Sequence, residues 1–466
     1  MVTRRDFLKS TGATAGALLG GATPLAVFAQ AASPAPLRAR EVSVQLLPDD
    51  YPATRIWSYA DATPGELLKV RQGDWLRRRL VNDLSTATSI HWHGIRIDNA
   101  MDGVAGLTQD PVPPGGTFDY AFNLPDAGTF WYHAHTRSYE QVARGLYGAL
   151  IVEEAEPPEV DRDEVLVLDD WRLKPEDAQL EPIFDNQHDL SHAGRLGNFV
   201  TTNGRYDFGL DVRRGDRLRL RLINAANARI MLLGLSGLEG WVMAYDGMPL
   251  ARAEPVGETL VLGPAQRVDL IVDVTAAEGE NAWLLRAEGN EGFAQTEFRV
   301  SGAAAVARRP APAPLPPNPR MEVPGLGSAR RLRMTLEGGA MGRMSQGTYN
   351  GQNRTFSELA AENQFWSLGG VVGMTDAPLA EVALGETVRL ELVNETAFAH
   401  AMHLHGMHFR EVLADGGLGP LRDTILVMQD ETREIAFIAD NPGDWLFHCH
   451  MLAHAAAGMI TWLKVA

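Results

Sequence analysis

Along most of the chain, apolar and polar residues alternate in short runs bounded by Gly, Pro and Asp. That two-residue period predicts half-buried strands, and long stretches with a helical period are few. One run occurs three times: Gly73-Asp74-Trp75-Leu76-Arg77-Arg78-Arg79-Leu80-Val81-Asn82, Gly215-Asp216-Arg217-Leu218-Arg219-Leu220-Arg221-Leu222-Ile223-Asn224 and Gly385-Glu386-Thr387-Val388-Arg389-Leu390-Glu391-Leu392-Val393-Asn394. Each reads as a Gly-acid turn feeding an alternating strand that ends at Asn. A second landmark follows each copy: Phe130-Trp131-Tyr132-His133-Ala134-His135, Trp283-Leu284-Leu285-Arg286-Ala287-Glu288 and Trp445-Leu446-Phe447-His448-Cys449-His450. Two landmarks in one order, a domain length apart, predict one domain type used three times. The expected architecture is all-β, three consecutive Greek-key β-sandwiches over residues 36–155, 156–305 and 330–466. Arg309-Pro310-Ala311-Pro312-Ala313-Pro314 through Pro319 marks a Pro-rich linker, 306–329.

Composition narrows the function. One cysteine excludes a disulfide framework, a CxxC redox pair and a cysteine-rich metal cluster. A net charge of −17 argues against nucleic acid or an anionic membrane as the main partner. Thr3-Arg4-Arg5-Asp6-Phe7-Leu8-Lys9, a weakly apolar stretch and Ala29-Gln30-Ala31 have the order of a twin-arginine export signal over residues 1–31. No other segment approaches the apolar run of a membrane helix. The mature chain is therefore expected to be soluble and monomeric, without a membrane anchor, in the periplasm or otherwise outside the cytoplasm.

The repeat also organises the thirteen histidines. Nine and eleven residues after the strand-ending Asn stand His91 and His93 in the first unit and His403 and His405 in the third; the second has Leu233 and Leu235. At the second landmark the outer units have His133 with His135 and His448 with His450, against Arg286 and Glu288. Residues i and i+2 of a strand share a face, so each H-x-H presents two imidazoles side by side. A lone H-x-H is commonly a core or surface pair; four in register point to metal. Eight imidazoles are too many for one ion and suit three.

The third unit adds His400, Cys449 between two histidines, His454 and Met459. Two imidazoles, a thiolate and a weak thioether form the soft set of a blue copper electron-transfer site. The backbone around Cys449 runs directly into His448 and His450, a short path from one site to the other. Together the two sites have the makings of a device that collects electrons singly and gives four to dioxygen.

His91-Trp92-His93-Gly94, His133-Ala134-His135, His400-Ala401-Met402-His403-Leu404-His405-Gly406 and His448-Cys449-His450 through Met459 resemble the four copper signatures of multicopper oxidases of the laccase and copper-resistance type. The resemblance spans the mature chain. It implies three cupredoxin domains and four copper ions: type 1 held by His400, Cys449, His454 and axial Met459; type 2 by His91 and His403; a type 3 pair by His93, His133, His135, His405, His448 and His450. It places an acid, Asp102, beside the cluster as proton donor. A second acid, often found immediately after the last type 1 histidine, is missing, since that position is Ala455. The middle unit is expected to be a spacer, and His188, His192 and His408 to be loop or surface residues. The implied activity oxidises a small donor and reduces dioxygen to water. Phenols and aromatic amines are the preferred donors, and Cu(I) is the alternative: Met341, Met344, Met374, Met402, Met407 and Met428 are spread out, without a Met/His-rich insertion. A copper-free cupredoxin scaffold is the non-enzymatic alternative, disfavoured because every ligand is present.

Overall fold

The three repeated runs fold alike. Each opening glycine has a left-handed φ, 85° at Gly73, 86° at Gly215 and 84° at Gly385, a conformation costly for any residue with a Cβ. The strand that follows pairs in parallel with the first long strand of its unit: Trp75–Asn82 with Ala35–Val44, Arg217–Asn224 with Arg162–Trp171, Thr387–Asn394 with Arg330–Gly338. The closing asparagine is equally physical. Asn82 Nδ2 donates to the carbonyls of Thr86 and Val112 while its Oδ1 accepts from Leu84 N–H. Asn224 serves Arg229, Leu262 and Ala226 in the same way, and Asn394 serves Phe398, Val427 and Thr396. One amide thus satisfies three backbone groups where strand gives way to loop.

A computed structural model describes residues 34–304 and 309–466; the export signal expected over 1–31 lies outside them. Among the described residues the α-helices have at most six residues, and no helix is long and apolar enough to cross a membrane. The fold is all-β, built from three two-sheet sandwiches. Over residues 35–153, one sheet runs Thr54–Ser58, Ala35–Val44, Trp75–Asn82, Thr117–Asn123. Its mate runs Leu68–Arg71, Tyr147–Glu153, Gly128–Ala134, Ile90–His93. Residues 162–303 and 330–465 repeat the plan with six- and five-stranded sheets.

Burial departs from simple alternation in the middle unit. Trp75–Asn82 and Thr387–Asn394 alternate, but Arg217–Asn224 is buried on both faces. Its polar face is turned against the first unit: Arg219 pairs with Glu154 of the first unit (2.7 Å) and Asp269 of its own sheet (2.6 Å), and Arg221 with Thr129 Oγ1 of the first unit (3.0 Å) and Asp163 of its own sheet (2.7 Å). Charges are tolerated inside because each is matched and hydrogen-bonded. One apolar cluster runs from Leu37 in the first unit to Val465 in the third, while the middle unit has its own. The Pro-rich segment is docked: Asn318 exchanges two 2.8 Å hydrogen bonds with the backbone of Ala127, and Arg96 donates to the carbonyls of Pro319 and Arg320.

Candidate metal centre

Strand register brings the four H-x-H pairs together. His91 lies opposite His133 on paired strands of the first unit, and His403 opposite His448 in the third. Beyond the strand ends, backbone bonds hold the rest: His135 N–H to Ser89, His405 N–H to Leu446, His450 N–H to Ala401. Rings from the two units interleave. His93 stacks on His403 and His91 on His405, each with centroids 3.8 Å apart. Of the eight, only His135 is partly exposed.

Second hydrogen bonds decide which ring nitrogen faces the nest. Nδ1–H of His91 donates to the Asp102 carbonyl (2.9 Å), that of His403 to the Asp423 carbonyl (2.9 Å), that of His133 to Ala134 and that of His448 to Cys449. Nε2 of His91, His135 and His403 and Nδ1 of His93 and His450 are then buried without a partner. His405 Nε2 and His448 Nε2 face each other at 3.2 Å although each ring has committed its other N–H elsewhere. Two lone pairs at that distance call for a cation between them. Burial, reinforced by the neighbouring imidazoles, keeps His93, His133, His405, His448 and His450 neutral and pushes His135 down to about 3.

Two aspartates occupy equivalent places around this nest. Asp102 accepts His91 Nδ1–H on its carbonyl and His405 Nδ1–H on Oδ2 (2.9 Å). Asp423 accepts His403 Nδ1–H on its carbonyl and His93 Nε2–H on Oδ1 (3.1 Å). Each acid thus orients one histidine from each outer unit. Asp102 is expected from the sequence and Asp423 is not, because the hairpin Phe409–Val412 and Leu418–Arg422 separates Asp423 from its histidines. Asp423 is also gripped by Arg267 of the middle unit through bonds of 2.9 and 2.6 Å. Burial opposes ionisation, but Arg267 and the His93 and His403 contacts hold the Asp423 carboxyl well below the usual range. His408, expected at the surface, is instead buried, with Nε2 3.7 Å from Asp423, because the strand Phe409–Val412 begins inside the third sandwich.

The pleat gives the strand Gly443–Cys449 two roles, since His448 and Cys449 point to opposite faces. On the second face Cys449 Sγ lies 3.6 Å from His400 Nδ1 and 3.7 Å from His454 Nδ1. Each ring is committed at Nε2, His400 to Thr396 Oγ1 (2.8 Å) and His454 to the His192 carbonyl (2.6 Å), so both Nδ1 lone pairs converge on sulfur. Met459 is buried, and its carbonyl accepts Cys449 N–H (3.1 Å). Burial pushes the free thiol up to about 12, so metal binding must displace its proton.

The middle unit roofs this second nest. Three consecutive carbonyls at the end of the helix Gln187–Ser191 accept from the third unit: Leu190 from Trp366 Nε1 (2.6 Å), Ser191 from Ala340 N–H (2.8 Å), His192 from His454 Nε2. These are groups that a helix end leaves unsatisfied. The middle unit therefore contributes Arg267 and this roof to the two nests. The ring of His188 is exposed and that of His192 half-buried, yet the His192 backbone belongs to the site.

Family models described as multicopper oxidase match residues 42–157, 162–309 and 347–466. The chain belongs to the multicopper oxidase family. This multicopper oxidase is 43% identical to the crystal structure of Lac15 from a marine microbial metagenome, covering 93% of this chain and 100% of that one with a TM-score of 0.75. It is 34% identical to the multi-copper oxidase of Pseudomonas thermotolerans, covering 92% and 98% with a TM-score of 0.80. With multicopper oxidase MmcO of Mycobacterium tuberculosis it shares 29% identity over 448 residues, 88% of this chain and 83% of that protein. Like its family, the protein is a copper-dependent oxidoreductase with four coppers, one type 1, one type 2 and a type 3 pair. The donor sets fit them: an all-imidazole nest whose lone pairs need cations, and a thiolate nest of the soft kind.

Proposed function

We propose that the enzyme couples one-electron oxidation of small donors, phenols and aromatic amines first among them, to reduction of dioxygen to two waters. In this reading His400, Cys449, His454 and Met459 hold type 1 copper. His91 and His403 hold type 2, and His93, His133, His135, His405, His448 and His450 hold the type 3 pair. Copper in the two nests supplies the redox chemistry, single-electron uptake at the thiolate and four-electron reduction of dioxygen among the imidazoles.

The chain's own residues do the rest. Cys449 joins the nests by its peptide bonds to His448 and His450, and the His448 Nδ1–H bond to the Cys449 carbonyl (2.9 Å) adds a second link. This connection is the observation that supports the reading best. Asp102 Oδ1 is buried without a hydrogen-bond partner, 3.2 Å from His91 Nδ1, and in this reading it is the atom at which a proton is held for delivery to the nest. Asp423, locked by Arg267, orients His93 and His403. Burial of Cys449 and His454 keeps water from the thiolate. The Arg4-Arg5 motif supports export by the twin-arginine route and a working place outside the cytoplasm.

Oxygen uptake by copper-loaded enzyme, with a phenol and with Cu(I) in parallel, tests the donor class. Faster turnover of the phenol supports the order given; Cu(I) turnover far above it reverses that order. One observation favours Cu(I) as a second reading: paired imidazoles, His188 and His192, lie on the roof over His454.

A further inference from the structure

His188 and His192 stand four residues apart, on the helix Gln187–Ser191 and its C-cap, a spacing that sets side chains one above the other. Their rings are parallel, with centroids 4.1 Å apart and planes 9° apart. His192 Nδ1 lies 3.2 Å from the His188 carbonyl and 3.0 Å from Ser191 Oγ, which leaves Nε2 with its lone pair. The His188 ring nitrogens have no hydrogen-bond partner among the described residues. The helix is fixed in place. Asp189 is buried and takes two bonds from Arg172 (2.6 and 2.9 Å), Asn186 caps the first turn, and the last three carbonyls are bound to the third unit. Met341, 67% exposed, follows Ala340, whose N–H holds the Ser191 carbonyl.

We propose that His188 and His192 form a docking site for Cu(I) as an electron donor, wired to the type 1 nest through the His192 carbonyl and His454 Nε2–H. The proposal rests on the oxidase reading above and names the place where one donor class binds. Two imidazoles at i and i+4 make a two-point ligand for a soft monovalent cation once the rings turn out of their stack to point at one ion, with an exposed thioether nearby. Bound Cu(I) loses one electron and becomes Cu(II), and the electron enters through the His192 backbone and its 2.6 Å bond to His454. Four such events with four protons match one dioxygen and two waters, so no further co-reactant is needed. A phenol can use one imidazole as a hydrogen-bond acceptor but gains no second ligand from the pair, so loss of one ring weighs on Cu(I) more than on a phenol.

The test uses copper-loaded enzyme with His188→Ala and His188→Met, a surface position that keeps the His192 carbonyl bond intact. Ag(I), a redox-inert stand-in for Cu(I), is titrated by equilibrium dialysis with metal analysis. Loss of one of two ligands should weaken one Ag(I) equivalent by about tenfold or more, the scale seen for changes even outside the first coordination shell. The ratio of Cu(I) to phenol kcat/KM should fall in His188→Ala by a similar factor, about tenfold, and recover in His188→Met, whose thioether also ligates Cu(I). Unchanged Ag(I) binding, or a Cu(I)-to-phenol ratio equal to that of the unaltered enzyme, would overturn the docking site while leaving the oxidase standing. Failure of the unaltered enzyme to oxidise either donor would overturn the oxidase reading itself.

Discussion

Arg267 and Asp423 come from different sandwiches, yet two hydrogen bonds of 2.9 and 2.6 Å join them where neither side chain meets solvent. Arg267 also donates to the backbone of Thr129 in the first unit, so one guanidinium touches all three. Replacing it with Gln strands a buried carboxylate, which costs about 3–5 kcal/mol. It also frees Asp423 to release His93 and His403. Denaturant unfolding should show the stability loss, and electron paramagnetic resonance a weakened type 2 signal beside an intact blue band. A variant with native stability and four coppers contradicts the assigned role.

Asp102 and Asp423 look alike around the nest but should fail differently. Asp102→Asn keeps an acceptor for His405 and removes the carboxyl that holds a proton at Oδ1. Reoxidation of the reduced enzyme by dioxygen, followed by stopped flow, should slow on the order of 10²-fold, with the blue band unchanged. Asp423→Asn should instead lower copper retention. An unchanged reoxidation rate in Asp102→Asn removes Asp102 from proton delivery.

The glycine of His91-Trp92-His93-Gly94 exists to let Arg267 past. Its φ is +84°, and a Cβ there would sit 2.3 Å from Arg267 Nη2 and 2.6 Å from Asp423 Oδ2. Gly94→Ala should destabilise by about 1–3 kcal/mol from overpacking alone, and it should mimic Arg267→Gln in its copper content. Native copper content and melting temperature in Gly94→Ala contradict this.

Without copper, the buried imidazoles make the protein acid-labile. Burial lowers their pKa below the unfolded value of about 6.5, to about 4 at His454 and about 3 at His135. Between those limits the unfolded chain binds more protons, so stability is present above about pH 6.5 and is lost progressively as pH falls. The melting temperature of the apoprotein should therefore drop between pH 7 and pH 5, and less so in the copper-loaded protein at pH 6. A flat apoprotein profile contradicts neutral burial of the nest.

The repeated strand and the four H-x-H pairs were legible because strand pairing converts a two-residue period directly into facing side chains. His91 opposite His133 and His403 opposite His448 follow from register alone. Arg267 and Asp423 were not legible, because they meet only through the docking of separate sandwiches and lie at no shared offset in the repeat. The buried Arg219 and Arg221 were hidden for the same reason: their alternation with leucine reads as a solvent face, and it is covered by the first unit, which adds Glu154 and Thr129 to their partners. His408 misled in the opposite direction, as a histidine just past a motif that the next strand carries into the core.

Two nests joined through Cys449 and working as one are the centre of the proposed mechanism. Its most direct test is the stoichiometry of oxygen consumption by the copper-loaded enzyme, with a one-electron donor and an amperometric peroxide assay. One dioxygen consumed for each four electrons, no hydrogen peroxide, and loss of both turnover and the blue band in Cys449→Ser are the predicted results. Accumulating peroxide, or a Cys449→Ser enzyme that still reduces dioxygen at the native rate, would contradict it.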